Sequence, residues 1–241
     1  GKEVLANYLH ENSNRKEEPF VAVNCAAIPE NMLEAILFGH EKGAFTGAVE
    51  RKDGKFLAAN SGRIFLDEIG DMSSSLQAKV LRVLESGEIE RVGGAETIKV
   101  DVRIISATNQ PLESKIKEGS FRQDLFHRIN VFEINIEPLS QRISDIPLLI
   151  KYFSKKISEN YNINELDIDE NNSYILNHNW KGNVRELRNL IERIAILQPD
   201  NREKISNIIK ESLKNDNFDD QIAENSLSVP LKEAREKFEK E

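Results

Sequence analysis

One cysteine in 241 residues, Cys25, leaves no pair from which an internal disulfide could form. This excludes the stapled secreted scaffolds and suits a reducing, cytoplasmic setting. Cys25 sits in the small apolar stretch Val21 to Ala27, which predicts a buried structural thiol rather than a nucleophile. Long apolar runs are missing too: none approaches the length of a membrane span, and nothing at the start resembles a signal peptide, so no membrane contact is expected. The four histidines, His10, His40, His127 and His178, lack metal-ligand spacing, and packing or solvation is expected of each. Basic residues are in deficit, 33 Lys and Arg against 41 Asp and Glu, for a net charge of −8. That balance argues against broad electrostatic binding to DNA by this chain alone. Internal repeats are absent.

The chain is long enough to bury a sizeable core, and its 31% charged content suits exposed helices. Strand-like and helix-like segments alternate to about residue 137, which predicts a parallel α/β sheet. Val4 to His10 reads as the start of a helix and Phe20 to Asn24 as a strand. Ile64 to Glu68 is an apolar strand tipped with acid, Val102 to Ser106 a short buried strand, and Val131 to Ile136 a strand by alternation. Leu76, Val80, Val83 and Leu84 share one helical face. From about residue 140 the pattern is helical, with a stripe of Ile146, Leu149, Ile150, Phe153 and Ile157. Asn183 and Glu186 have capping-box spacing before Val184, Leu187, Ile191 and Ile194. Residues 199–230 are polar and predict a linker or weakly packed helices, and a charged helix begins at Leu231. The expected division is 1–139, 140–198 and 199–241.

Adjacent Asp67 and Glu68 close the apolar strand, where the carboxyl edge of a parallel sheet binds ligands. Successive strand residues face opposite ways, so the two acids are expected to do different work. Asp67 suits a magnesium ion, mostly through water, and Glu68 suits activation of an attacking water. The competing reading is a solvated acidic turn helped by Gly70 and Asp71. A second notable segment is Gly43-Ala44-Phe45-Thr46-Gly47-Ala48, where two glycines bracket an aromatic and a hydroxyl. A Phe on a flexible tip costs solvation unless something binds it, although a plain Gly-flanked loop reads the same way.

Together with Leu37 to Lys42 upstream and the acid-tipped strand downstream, these residues resemble the AAA+ domain of sigma-54-dependent transcription activators. The resemblance covers about residues 1–198. It implies an AAA+ P-loop fold, a parallel sheet with helices on both faces followed by a small helical lid, and an ATP- and magnesium-dependent ATPase. In that family the hexapeptide Gly43 to Ala48 grips sigma-54, and the partner is the sigma-54 RNA polymerase holoenzyme. A homo-oligomeric ring, hexamer or heptamer, follows from the same source, with DNA reached only through a helix-turn-helix domain that this chain does not include.

Further roles are implied residue by residue. Gly1-Lys2-Glu3 match the end of the family's phosphate loop, with Lys2 as phosphate ligand, as if the chain began inside that motif. Asn24 matches an asparagine that pairs with the catalytic glutamate Glu68 as a switch. Asn109 matches a γ-phosphate sensor, Arg122 and Arg128 the intersubunit arginines, and Arg185 a lid residue that contacts nucleotide in cis. Lys181 stands where the family usually shows Pro. Glu41 would support movement of the hexapeptide; separately, the paired glycines of Glu90-Arg91-Val92-Gly93-Gly94 permit a second mobile loop, and simple turn chemistry explains them equally well. Two rivals remain at this stage: a non-hydrolysing AAA+ module that scaffolds or represses, and an AAA+ machine acting on another substrate.

Overall fold

A computed structural model describes residues 1–197 and 201–213. They fall into two compact units, Gly1–Ile136 and one beginning at Glu137. The first unit runs α1 (Lys2–Glu11), β1 (Phe20–Asn24), α2 (Glu30–Phe38), β2 (Gly39–His40), β3 (Lys52–Asp53), α3 (Lys55–Ala58) and β4 (Arg63–Asp67). It continues through α4 (Ser74–Ser86), β5 (Glu88–Glu90), β6 (Thr97–Lys99), β7 (Arg103–Ala107), α5 (Leu112–Lys117) and α6 (Gln123–Ile129).

β1, β4 and β7 form a parallel sheet in the order β1-β4-β7, joined by the helical crossovers that parallel pairing demands. β4 is central, with a neighbour on each side and helices packed on the sheet, so Ile64, Phe65 and Leu66 are all buried. This is why the segment reads as an unbroken apolar run. The register aligns Asn24, Asp67 and Ala107 at the carboxyl end of the sheet. The core gathers Leu33, Leu37 and Phe38 of α2 with Leu76, Val80 and Val83 of α4, and Leu84 packs at its margin.

Two antiparallel hairpins stand apart from this sheet: β2 with β3, and β5 with β6. The arms of the first meet at Gly39 and Gly54. A Cβ on Gly54 would lie 2.3 Å from the Gly39 nitrogen, so the base of the insertion closes only with glycine there.

Val131 to Ile136 does not form the expected strand. Alternation produces a strand only when a ladder partner takes up the backbone groups, and among the described residues none pairs with it. Val131 and Phe132 are accordingly 83% and 82% exposed.

The second unit holds α7 (Ile146–Tyr161), α8 (Ser173–Leu176), α9 (Asn183–Leu197) and α10, residues 202–213. Ile146, Ile150 and Ile157 of α7 pack with Leu187, Ile191 and Ile194 of α9 around Trp180. Of the two readings of the polar segment, linker or weakly packed helices, α10 takes the helical one and is better packed than expected. Ile205, Ile209 and Leu213 recur every four residues and are buried in this core, a stripe that average composition conceals. The remainder of the polar segment and the helix expected from Leu231 lie outside the described residues.

The expected capping box also takes a different form. Asn183 has φ +54 and its Oδ1 accepts from the Leu139 N–H at 2.7 Å, while Glu186 Oε2 reaches back to the Gly182 N–H at 2.8 Å. The chain enters α9 through a left-handed turn, which moves the cap one residue upstream.

Candidate functional site

At the carboxyl end of β4, Asp67 is the last strand residue and Glu68 turns away with φ +53. A left-handed backbone at a non-glycine is strained, and such strain concentrates at working sites. It also overrides the expectation that the two acids face opposite ways. Lys2, which opens α1, places Nζ 2.5 Å from Glu68 Oε1 and 3.4 Å from Asp67 Oδ1. The other Glu68 oxygen accepts from the backbone N–H of Asn109 at 3.1 Å. Glu68 is therefore held at both oxygens.

Asn24 is level with Asp67 across the ladder, and its Nδ2 donates to Asp67 Oδ2 at 3.3 Å. The sequence expectation pairs Asn24 with Glu68; the register gives it Asp67 instead. Its own Oδ1 accepts from the N–H groups of Ala26 and Ala27, fixing the turn after β1. Asp67 Oδ1 is buried and makes no hydrogen bond. A hard, anionic oxygen with unused lone pairs at a sheet edge fits magnesium, which binds through one or two carboxylates and keeps its remaining positions for water and phosphate. Among the described residues no group of three or more His, Cys, Asp or Glu gathers for a metal, so an all-protein cage is not the arrangement. Gly1 is the N-cap of α1, and Lys2 adds a positive charge at that helix start, an arrangement that suits phosphate. Glu3 is exposed in that turn.

Cys25 lies directly behind this edge, its N–H donating to the Asp67 carbonyl at 2.9 Å. Burial, then the charges of Asp67, Asp71 and Glu68, push its thiol up to about 12. It is an inert packing residue.

Arg122 and Arg128 are both exposed, the first just ahead of α6 and the second within it. Arg122 pairs bidentately with Asp124, whose hydrogen bond raises the guanidinium above its ordinary value. Arg128 donates to the Leu84 carbonyl at 3.0 Å. Sequence reasoning missed the residue that sets this segment. Gln77, fully buried on α4, donates to the carbonyls of Met72 and Ser120 and accepts from the Arg122 N–H at 2.8 Å. One amide thus ties the turn after Glu68 to the arginine segment. A lone polar residue inside the apolar stripe of α4 was the available signal.

The hexapeptide is a closed turn: Gly43 N–H donates to Ala48 O at 2.8 Å and Ala48 N–H to Phe45 O at 3.0 Å. Thr46 and Gly47 are exposed, Ala44 is half-buried and Ala48 buried. Phe45 is 45% exposed and rests on His40, ring centroids 5.0 Å apart. The turn after β5 packs against it. Val92 N–H donates to Gly39 O and Glu41 N–H to Val92 O, forming a short parallel bridge.

Arg91 is the second residue that sequence alone did not single out. Its buried guanidinium meets Asp53 at 2.8 Å and both Glu41 and Glu96 at 3.4 Å, joining the two hairpins. Burial pulls this group down, but the Asp53 hydrogen bond and the three acidic charges raise it above its ordinary value. In the second unit, Arg185 is exposed in the first turn of α9.

Comparison with known proteins fits this geometry. Residues 1–135 match the sigma-54 interaction domain model and residues 140–225 the AAA+ ATPase lid domain model. The chain is 50% identical over 200 residues to the Nif-specific regulatory protein of Azotobacter vinelandii, covering 83% of this chain and 38% of that protein. It is 51% identical over 198 residues to the regulatory protein AtoC of Escherichia coli K12, covering 82% and 43%. The chain thus spans about two fifths of the length of these relatives. Among solved structures, NtrX from Brucella abortus in complex with ADP superposes with a TM-score of 0.82 at 40% identity, covering all of this chain and 54% of that one. Hsp104, at 18% identity and a TM-score of 0.58, shares the fold alone. With both units matched in order and the hexapeptide and acid pair in place, the chain belongs to the sigma-54 interaction family of AAA+ domains, with its helical lid.

Proposed function

We propose that this chain is the motor of a cytoplasmic transcription activator, hydrolysing ATP to remodel RNA polymerase that carries sigma-54. The observation that carries the reading is the Lys2–Asp67–Glu68 cluster at the carboxyl edge of the sheet. Lys2 and the start of α1 would hold the phosphates, with Glu3 in the same first turn. Asp67, through Oδ1, which accepts no hydrogen bond and faces Lys2 Nζ at 3.4 Å, would hold the magnesium ion, whose chemistry is to neutralise charge on the phosphate oxygens.

Glu68 accepts the proton from water as it attacks the γ-phosphate. Lys2 now satisfies Glu68, so its transfer to phosphate oxygens frees that carboxylate to act as a base. Asn109, whose N–H grips Glu68, senses the γ-phosphate, and Arg185 senses nucleotide from the lid. Asn24 steadies Asp67. The lid begins at residue 140. Phe45 and Thr46 make the contact with sigma-54 on a hexapeptide displayed by the first hairpin.

A homo-oligomeric ring, hexamer or heptamer, completes the site, with Arg122 and Arg128 of one protomer stabilising charge in the next one's phosphoryl transfer. Mixing Arg128→Ala with Lys2→Ala subunits in the complete protein should restore part of the lost turnover, because some interfaces then pair an intact arginine with an intact phosphate site. No recovery in verified mixed rings removes the intersubunit role. The output assignment is tested separately: Phe45→Ala should keep ATP turnover within about twofold while losing sigma-54 engagement and promoter opening. Promoter opening at the normal rate by that variant would reduce the hexapeptide to a loop.

A further inference from the structure

We propose that His178 is a positioning residue for Arg185: through Glu186 it fixes the first turn of α9 and so sets how tightly nucleotide is held. The inference rests on the proposed role of Arg185 in sensing nucleotide, and adds a brace that the sequence resemblance does not assign.

The turn leading into α9 is strained. Trp180 has φ +48 and Asn183 φ +54, both left-handed at residues with a Cβ. Lys181, between them, stands where the resembled pattern has proline, so the ring that would fix φ at that point is absent. Hydrogen bonds must hold the turn instead: the Asn183 N–H donates to the Trp180 carbonyl and Asn183 Oδ1 accepts from the Leu139 N–H, both at 2.7 Å, and Glu186 adds a third tie. Glu186 Oε2 accepts from the Gly182 N–H at 2.8 Å, and its other oxygen lies 2.6 Å from His178 Nε2. A carboxylate can only accept, so Nε2 carries the proton and donates it.

His178 is itself immobilised. Its side chain is 6% exposed and stands edge-on to Trp180, ring centroids 4.8 Å apart at 82°. Trp180 is buried in the core of the unit, with Nε1 donating to the Ile175 carbonyl at 2.9 Å. A continuous line therefore runs from the core through Trp180 and His178 to Glu186 and the Gly182 N–H.

The clearance is tight at its end, since a Cβ on Gly182 would meet Glu186 Cβ at 2.9 Å. Arg185 is the residue immediately before Glu186, on the same helical turn and exposed. Without His178, Glu186 can rotate into solvent, the Gly182 N–H loses its acceptor and the first turn is held by the Asn183 bonds alone. The backbone that carries Arg185 then becomes less fixed. A long flexible side chain binds phosphate well only when its backbone is fixed, because ordering it at the moment of binding costs entropy.

The test is a double-mutant cycle in the complete protein, reading the Kd for ATPγS, the kcat and KM for ATP, and the melting temperature. Arg185→Ala should weaken ATPγS binding roughly tenfold, the range for one charge-assisted contact. His178→Ala should raise Kd and KM by a similar factor with kcat changed less, and His178→Gln, which keeps a donor near the Nε2 position, should recover most of the loss. The pair His178→Ala with Arg185→Ala should bind no more weakly than Arg185→Ala alone. If His178→Ala does not fold, Glu186→Ala breaks the same line from its half-exposed end and should show the same non-additivity. Two results overturn the proposal and are distinguishable. An Arg185→Ala variant with normal affinity removes the sensing arginine and the brace with it. A normal Arg185 effect combined with fully multiplicative losses leaves the arginine in place and makes His178 a packing residue only.

Discussion

Asp67 and Phe45 belong to the same compact unit but are held by different physics. Asp67 ends a strand paired on both sides, with fully buried residues behind it and a register that fixes its height against Asn24 and Ala107. Phe45 rides on two-residue strands, seated on one imidazole, in an insertion tied to the second hairpin by the Arg91 guanidinium and its three acids and by a short backbone bridge. Backbone ladders and apolar packing hold positions to fractions of an ångström, as proton transfer and metal binding require. A charge cluster beside solvent has a smaller net energy and can be exchanged for another arrangement, which suits a part that must move. On the proposed function, the chemistry would sit on the rigid frame and the output on the releasable one.

The sharpest way to break this comparison is at Glu68. Glu68→Gln should retain ATP binding while turnover falls by about 10²–10⁴-fold, since an amide keeps the shape and cannot accept the proton. The insertion should stay in place, read from exchange of the Glu41 and Val92 amides. Near-normal turnover would take Glu68 out of the chemistry.

Arg91→Ala probes the other side. Its acids are 59%, 32% and 70% exposed for Asp53, Glu41 and Glu96, so solvent screens much of the loss. We expect the two hairpins to separate more readily by ~1–2 kcal/mol, an increase in exchange of about 5- to 30-fold at the Glu41 and Val92 amides. Arg91→Lys should recover only part of this, because one ammonium cannot reach three carboxylates as a guanidinium does. ATP turnover should change by less than about twofold. Unchanged exchange in Arg91→Ala would show that backbone contacts alone dock the insertion.

A smaller effect distinguishes contact from conformation. Gly93 has φ +75, and a Cβ there would lie 2.8 Å from Ala44 Cβ, whereas Gly43, at φ +82, has open space around it. Gly43→Ala should cost only backbone strain, about 1 kcal/mol, and Gly93→Ala should exceed it in the same exchange measurement. Equal costs would mean that the two loops do not press on one another.

The smallest expected change is at Cys25. With its thiol pushed up to about 12, almost no thiolate exists at pH 8, and iodoacetamide should label the folded chain negligibly while labelling the unfolded chain readily. The raised value means that the folded form keeps a proton the unfolded chain releases near 9.0, so stability from this group is full below that pH and declines as pH rises toward 12. Rapid labelling at pH 8 under native conditions would show that the strand end behind Asp67 is open.

Much of the frame was legible because its signals are local. Phe20–Asn24 and the acid-tipped strand could be read from short apolar runs, and α7 and α9 from stripes that one helical period explains. Val131 to Ile136 could not be decided locally, since a strand exists only with its neighbour. The packing of α10 was not settled because three isoleucine and leucine positions are diluted in a polar segment that reads equally as a linker. At the site, the residue types of Lys2, Asp67, Glu68 and Asn24 were legible but their pairings were not. The left-handed Glu68 puts both acids on Lys2, and the register hands Asn24 to Asp67.

By itself, then, the sequence determined the α/β class, the helical second unit, the acid pair at the sheet edge and the exposed hexapeptide from periodicity and from residue chemistry over a few neighbours, while Lys2 and Asn24 were marked only by resemblance to a family. Only the tertiary structure decided who touches whom. Arg91 on three acids, Gln77 between the Glu68 turn and the arginine segment, and His178 behind Glu186 are contacts across 5 to 50 residues of chain. Such pairings are set by where packed elements bring buried polar groups that must find partners, and no local pattern encodes that.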